Sequence, residues 1–158
     1  MNTAYVALGA NLGDPAATVR AAFGALANLP ESRVSRSSSL YRTAPVGLTD
    51  QPDFINAVAE LQTTLAPEAL LDALFDIEQR FGRIRADKNG PRTLDLDLLL
   101  YDDQRIDLPH LTLPHPRLHL RAFVLQPLAE IAPQLVIPGR GAVAAWLPAV
   151  ANQGIVKL

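Results

Sequence analysis

The sequence predicts an α+β fold, a ferredoxin-like βαββαβ sandwich with an antiparallel sheet and a C-terminal extension. Three observations carry that expectation. Strand-type and helical patterns follow one another in the order β-α-β-β-α-β. Residues 54–63 and 94–98 alternate apolar and polar positions, as strands with one buried face do. Both helical segments open on a proline, Pro15 and Pro67, whose missing N–H costs nothing at the first helical position.

The elements follow in chain order. Residues 4–8 are a short apolar strand, and residues 9–13 (GANLG) a sharp turn. Asp14 is placed to cap a helix whose Val19, Ala22, Phe23 and Leu26 recur at helical spacing, with Pro30 closing the segment. Residues 34–41 are serine-rich and extended, and residues 42–52 form a loop long enough to suspect a function. In residues 54–63, Ile55, Ala57, Ala59 and Leu61 share one face and Asn56, Val58, Glu60 and Gln62 the other. The second helix runs from Pro67 to about Phe81, with Leu70, Leu74, Ile77 and Phe81 as its apolar stripe, widened by Leu71 and Phe75. Gly82 ends it. A strand follows at residues 94–100 and a turn at Asp102-Asp103. Residues 107–121 read as irregular, and residues 122–131 as a helical pattern that Pro127 interrupts.

Composition narrows the class. A chain of 158 residues with 49% hydrophobic and 19% charged residues suits one folded domain, expected over 1–158, with no internal repeat or linker-like tract. The absence of cysteine excludes disulfides, thiolate nucleophiles and cysteine-bound zinc, and fits a cytoplasmic location. The first residues lack the basic and long apolar regions of a signal peptide, and no apolar run is long enough to span a bilayer, so no membrane partner is expected. A net charge of −2 argues against nucleic acid as a partner.

Local charge is another matter. Arg80, Arg83, Arg85, Lys88 and Arg92 place five of the 14 Lys+Arg within 13 residues, where even spacing gives about one. This basic loop leads into GPRTLDLDLLL, residues 90–100. Strand geometry puts the Asp95 and Asp97 side chains on one face, about 6–7 Å apart, with Leu94, Leu96 and Leu98 on the other. A solvated strand face is the bland explanation, but Asp is depleted in strands and two like charges on one face repel. A hard divalent cation removes that cost, and Mg2+ favours a couple of carboxylates plus substrate phosphates. Arginine forks match phosphate oxygens. Acids for metal beside arginines for phosphate point to a metal–nucleotide site.

Other candidates are weaker on the residues alone. Glu78 falls inside the apolar arc of its helix, so it needs either a cation such as Arg85 or a ligand hydroxyl or base. His115 and His119 have zinc spacing only in a helix, which Pro114 and Pro116 disfavour. His115 with Arg117 and Arg121 better supplies phosphate contacts, while His110 and His119 read as surface or packing histidines. The 9–13 turn lacks the Lys-Ser/Thr of a P-loop. Asn56 can present an amide to a flat heterocycle, but Phe54 and Phe123 read, on physics alone, as core. Another Mg2+-dependent nucleotide enzyme is the runner-up reading. An RNA-binding module is the different-class rival, disfavoured by acids on the expected sheet face.

The stretches AYVALGANLGD, SSLYRTAPVG, QPDFINAVAEL, GRIRADKNGPRTLDLDLLL and LPHPRLHLRAFVLQPLAEIAP, in this order and across nearly the whole chain, resemble the 6-hydroxymethyl-7,8-dihydropterin pyrophosphokinase family of folate biosynthesis. The resemblance implies a ferredoxin-like monomer that uses ATP and two Mg2+ ions to move the β,γ-diphosphate of ATP to the hydroxymethyl group of the pterin, releasing AMP. By position it implies that Asp95 and Asp97 hold the metal, and that Arg83 and Arg92 act in catalysis. It puts Glu78, Arg85, Leu98, Thr112, His115 and Arg121 on the ATP side. Thr43, Ala44, Pro45, Phe54, Asn56 and Phe123 match the pterin pocket, with the two phenylalanines sandwiching the ring and Asn56 reading its polar edge. The chain departs from the pattern at Asn89, where an aromatic often precedes Gly-Pro-Arg. It departs also at Phe75, Pro116 and Ala44.

Overall fold

The structure is a computed structural model, and it describes residues 1–45, 50–82 and 93–158. In chain order it runs β1 (Asn2–Ala10), α1 (Pro15–Ala27), β2 (Ser32–Ser37), β3 (Tyr41–Thr43), β4 (Phe54–Thr63), α2 (Pro67–Arg80) and β5 (Asp95–Tyr101). A second set follows: β6 (Ile106–Leu108), β7 (Leu111–Leu113), α3 (Ala122–Ile131), β8 (Val136–Ile137), β9 (Gly141–Ala142), α4 (Val143–Trp146) and β10 (Ile155–Lys157). The main sheet has the order β10-β3-β4-β1-β5, with β2 also paired to β4, and every pairing in it is antiparallel. Among the described residues no helix is long and apolar enough to cross a membrane.

The helix starts follow the sequence. Asp14 caps α1 by accepting from the Ala17 N–H at 3.2 Å, and Pro15 occupies the first turn. In α2, Leu70, Leu74 and Ile77 are buried as the periodicity requires. Phe75, expected to widen that stripe, is 45% exposed instead, because it lies on the far side of the arc from Leu70 and Leu74.

One face of the sheet packs on α1 and α2 through Val6, Leu8, Ile55, Ala57, Ala59, Leu61, Leu96 and Leu98. A ferredoxin-like sandwich carries its helices on one face and lets the other be polar. Here that other face is covered instead. Val58 and Tyr5 join Val124, Leu125, Leu128 and Ile131 of α3 in a second apolar cluster. Strand β4 is therefore buried on both faces along most of its length. Its buried polar groups are paired: the Tyr5 hydroxyl donates to Glu60 Oε2 at 2.6 Å and Ser35 Oγ to Glu60 Oε1 at 2.8 Å. Burial and the Glu60 carboxylate both push the Tyr5 phenol up, so it keeps its proton as the donor.

Three local details differ from the sequence reading. Helix α3 runs unbroken through Pro127, whose missing N–H leaves only the Phe123 carbonyl without its helical partner. The region read as irregular holds the β6–β7 hairpin and a 3₁₀ turn at Leu118–Leu120. The β1–β5 ladder has a bulge: Val6 pairs with Leu98 and Tyr5 with Leu100, leaving Leu99 as the extra residue. The extra residue shifts the alternation, so Leu99 and Leu100 pack under α3 and Tyr101 returns to the α1–α2 side.

Candidate active site

Strand β5 sets the carboxylates. Leu94, Leu96 and Leu98 are buried in the α1–α2 cluster, so Asp95 and Asp97 are turned to the opposite face, where both are half-buried. Their cross-strand partners on β1 are Gly9 and Ala7, the smallest side chains available. Next across, Gly9 pairs with Asn56 of β4. Asn56, Gly9 and Asp95 thus form one rung over three strands. Two strand spacings put the amide and carboxylate residues roughly 10 Å apart, with bare glycine backbone between them.

That rung lies in a cavity of about 540 Å³, lined by Ala7, Leu8, Gly9, Asn56, Asp95 and Asp97 on the sheet side. Thr43, Ala44, Pro45 and Phe54 line it, as do Leu120, Arg121, Ala122 and Phe123 at the start of α3 and Gln153 and Gly154 before β10. Asn56 is 5% exposed, and its amide donates to Thr43 Oγ1 at 2.8 Å, which fixes its orientation. Phe54 and Phe123 are only half-buried and line the cavity, which corrects their reading as core. The Arg121 guanidinium sits 5.4 Å from the Phe123 ring centroid. Burial lowers the pKa of the guanidinium, opposed by Asp97 and Asp95 and aided by Arg117.

His115 does not line the cavity, but it feels the charges of Arg121, Arg117 and Asp95. Burial, then the charges of Arg121 and Arg117, hold its pKa down at about 4 against the pull of Asp95, so the ring is neutral at pH 7. The Arg117 N–H donates to His115 Nδ1 at 3.2 Å, which assigns the ring proton to Nε2. The His115 backbone is pinned on both sides: its N–H donates to the Leu99 carbonyl at 2.9 Å, and its carbonyl accepts from Arg140 at 2.9 Å.

Glu78 is 2% exposed, and its burial has a specific cause. Its Oε2 accepts the Leu96 backbone N–H at 2.7 Å, from the edge of β5 turned away from β1. This explains its place in the apolar arc, and it is not among the cavity-lining residues. The Leu98 side chain is 3% exposed and belongs to the core. Thr112 faces outward on β7 opposite Asp107, away from the cavity lining. His110 pairs with Glu68 at the surface at 3.0 Å, and His119 packs edge-on against Trp146, as the sequence reading expected of both. Arg83, Arg85 and Arg92 lie outside the described residues, as does Asn89.

The cavity therefore gathers Asp95, Asp97, Arg121, Thr43, Ala44, Pro45, Phe54, Asn56 and Phe123 from the residues singled out in the sequence. Sequence reasoning missed Ala7, Gly9, Leu120, Gln153 and Gly154. Gly9 carried a signal in its glycine-rich turn, but Gln153 carried none, since nothing local marks it.

The comparisons with known proteins can now be set beside this geometry. Residues 5–133 match the profile of the 7,8-dihydro-6-hydroxymethylpterin-pyrophosphokinase (HPPK) family. A Pseudomonas aeruginosa protein named 2-amino-4-hydroxy-6-hydroxymethyldihydropteridine pyrophosphokinase is 49% identical over 154 residues, covering 98% of this chain and 95% of its own. A Haemophilus influenzae protein of the same name is 44% identical over 158 residues, covering 100% of this chain and 99% of its own. In fold, the chain is similar to the Plasmodium falciparum HPPK-DHPS crystal structure with pteroate, at a TM-score of 0.76 and 14% identity over 94% of this chain. This chain spans only 42% of that larger one. Full-length identity to named pyrophosphokinases and a profile match over the strands that build the cavity agree: the chain belongs to the 7,8-dihydro-6-hydroxymethylpterin-pyrophosphokinase family.

Proposed function

We propose that this chain transfers the β,γ-diphosphate of ATP to the hydroxymethyl group of 6-hydroxymethyl-7,8-dihydropterin. The observation that carries the reading is the Asn56–Gly9–Asp95 rung, with an amide and two aromatics for a heterocycle beside two carboxylates for a charged donor. Phe54 and Phe123 flank the pterin ring, Asn56 reads its polar edge, and Thr43, Ala44 and Pro45 wall the pocket. The bare backbone of Gly9 leaves room for the hydroxymethyl arm to reach toward Asp95.

Asp95 and Asp97 suit two Mg2+ ions, because hard cations of this size use few protein carboxylates and complete their shells from phosphates and water. When bound, Mg2+ supplies charge neutralisation of the triphosphate. The chain's own residues do the rest. Arg121 and the Nε2–H of His115 offer donors to phosphate oxygens, and Arg83, Arg85 and Arg92 add cations from the basic loop. The Leu98 side chain is committed to the core, so its part on the ATP side falls to its backbone. Glu78 holds the outer edge of β5 in place, and Thr112 belongs to the outer rim of the nucleotide side. The hydroxymethyl oxygen bonds to the β-phosphorus as the α,β-bridging oxygen leaves with AMP and the alcohol proton is released.

The order β5-β1-β4-β2, with α1 and α2 on one face, supports a ferredoxin-like core elaborated by α3 and the tail. The chain acts as one pyrophosphokinase domain over 1–158, a monomer in the cytoplasm, a reading that rests on the family resemblance and the absence of cysteine. The test mixes protein, Mg2+, ATP and the pterin alcohol and identifies the nucleotide product. AMP formed only with the pterin is the expected result; ADP, or no pterin-dependent turnover, overturns the reading.

A further inference from the structure

The profile match ends at residue 133, yet Gln153 and Gly154 line the cavity. The tail reaches both cavity walls within three residues. On one side, Gln153 Oε1 accepts the Ala122 N–H at 2.9 Å while its Nε2 donates to the Leu120 carbonyl at 3.0 Å. These bonds hold the two peptide units that flank Arg121. The Ala122 N–H is one of the donors a helix leaves unpaired at its start, and the Arg121 side chain does not cap α3. Gln153 is therefore a cap for α3 supplied from 31 residues away. On the other side, Ile155 pairs with Thr43, whose hydroxyl orients the Asn56 amide.

The far end of α3 is tied to the same strands. Glu130 accepts from the Ser39 N–H, the Ser39 hydroxyl and the Tyr41 hydroxyl, and its carboxylate lies 3.7 Å from Lys157 Nζ. The backbone closes the arrangement: the Leu158 N–H donates to the Leu40 carbonyl at 2.9 Å. Helix α3 and strand β3, which carry the two walls, are thus joined at both ends through β10.

We infer that Gln153 is a positioning residue for the pterin alcohol. It sets the separation between the Arg121–Phe123 wall and the Thr43–Asn56 wall. The inference rests on the functional reading above and adds a residue to it. Its logic is geometric. One of these bonds is part-buried and the other exposed, and the net contribution of such bonds to global stability is modest. A stacking ring and a phosphate-facing guanidinium, however, lose function when shifted by a fraction of an ångström. The tail therefore acts on affinity for the acceptor more than on folding.

The experiment compares wild type with Gln153→Ala, with Gln153→Met, which fills the wall without polar groups, and with Val156→Ser on the exposed face of the same strand. Pterin affinity is read by calorimetry with a non-hydrolysable ATP analogue present, alongside KM for ATP and thermal melting. Both Gln153 variants are expected to bind the pterin about tenfold more weakly, the worth of a pair of modest hydrogen bonds. KM for ATP should rise less than pterin affinity falls, because Arg121 lies between the two held peptide units, with the melt close to wild type, and Val156→Ser should match wild type throughout. Wild-type pterin affinity in the Gln153 variants overturns the inference. So does a parallel loss of pterin affinity, ATP affinity and melting temperature, which marks a purely structural role. A wild-type chain that does not bind the pterin overturns the functional reading and this inference with it.

Discussion

The Glu78 carboxylate accepts the N–H of Leu96, the one residue between Asp95 and Asp97, at 2.7 Å. A buried acid from α2 thereby holds the outer edge of β5 at the point from which both cavity carboxylates project. Among the described residues β5 has no second strand neighbour, so this bond does what a further strand otherwise would.

Replacing Glu78 with Ala leaves the Leu96 N–H buried without that partner. The expected cost is about 2–3 kcal/mol in denaturant unfolding, since the bond is to a charged group. Pterin-dependent AMP formation should fall at least about tenfold as the carboxylates lose alignment. Turnover at the wild-type level would show that the edge bond does not position them.

Asp97→Ala is expected to abolish turnover while the circular dichroism spectrum stays that of the wild type, because Asp97 faces the cavity and not the core. Chelating divalent metal from the wild-type assay should have the same effect, restored by adding Mg2+. Near-normal turnover in the variant would refute the assignment of metal to this strand face.

Gly9 offers a sharper test of the acceptor side. A Cβ placed there meets Asn56 Oδ1 at 3.1 Å, closer than ordinary contact. Gly9→Ala should therefore push the amide off its position and weaken pterin binding about tenfold, with ATP affinity nearly unchanged. Equal loss of both affinities in titration calorimetry would argue against Asn56 as the reader of the ring.

Stability should fall with acidification. Burial, aided by Arg121, Arg117 and Arg140 and opposed by Asp95, lowers the pKa of His115 to about 4 from 6.5. Burial and Arg140 also lower that of His119. The unfolded chain thus binds protons that the folded chain refuses, so stability is full above about pH 6.5 and is lost as the pH falls toward 4. Urea midpoints measured at pH 7 and pH 5 should show the drop, and His115→Gln should make it shallower. An equal drop in that variant would assign the effect to other groups.

Much of the scaffold was legible from local pattern. Alternation placed Asp95 and Asp97 opposite Leu94, Leu96 and Leu98, and the Asp14-Pro15 pair marked where α1 begins. The position of Glu78 inside an apolar arc announced a buried acid, though not its partner. For the pocket, pattern alone pointed to Asn56 but left Phe54 and Phe123 in the core; the family resemblance moved them to the cavity, where the structure also has them.

What tertiary structure decided has a common physical character. That α3 covers the second sheet face, that Leu99 bulges and shifts the alternation of β5, that Glu78 meets Leu96, and that Gln153 caps α3 all depend on groups distant in sequence. Periodicity records which side of an element is apolar, because neighbours in the chain share that environment. A hydrogen bond between distant residues involves one side chain at each end and leaves no period to read. The sequence by itself determined where the carboxylates point, the central strands of the sheet and its first two helices; only packing decided that β3 and β10 join the sheet, what holds the carboxylate strand in place and what closes the cavity above it.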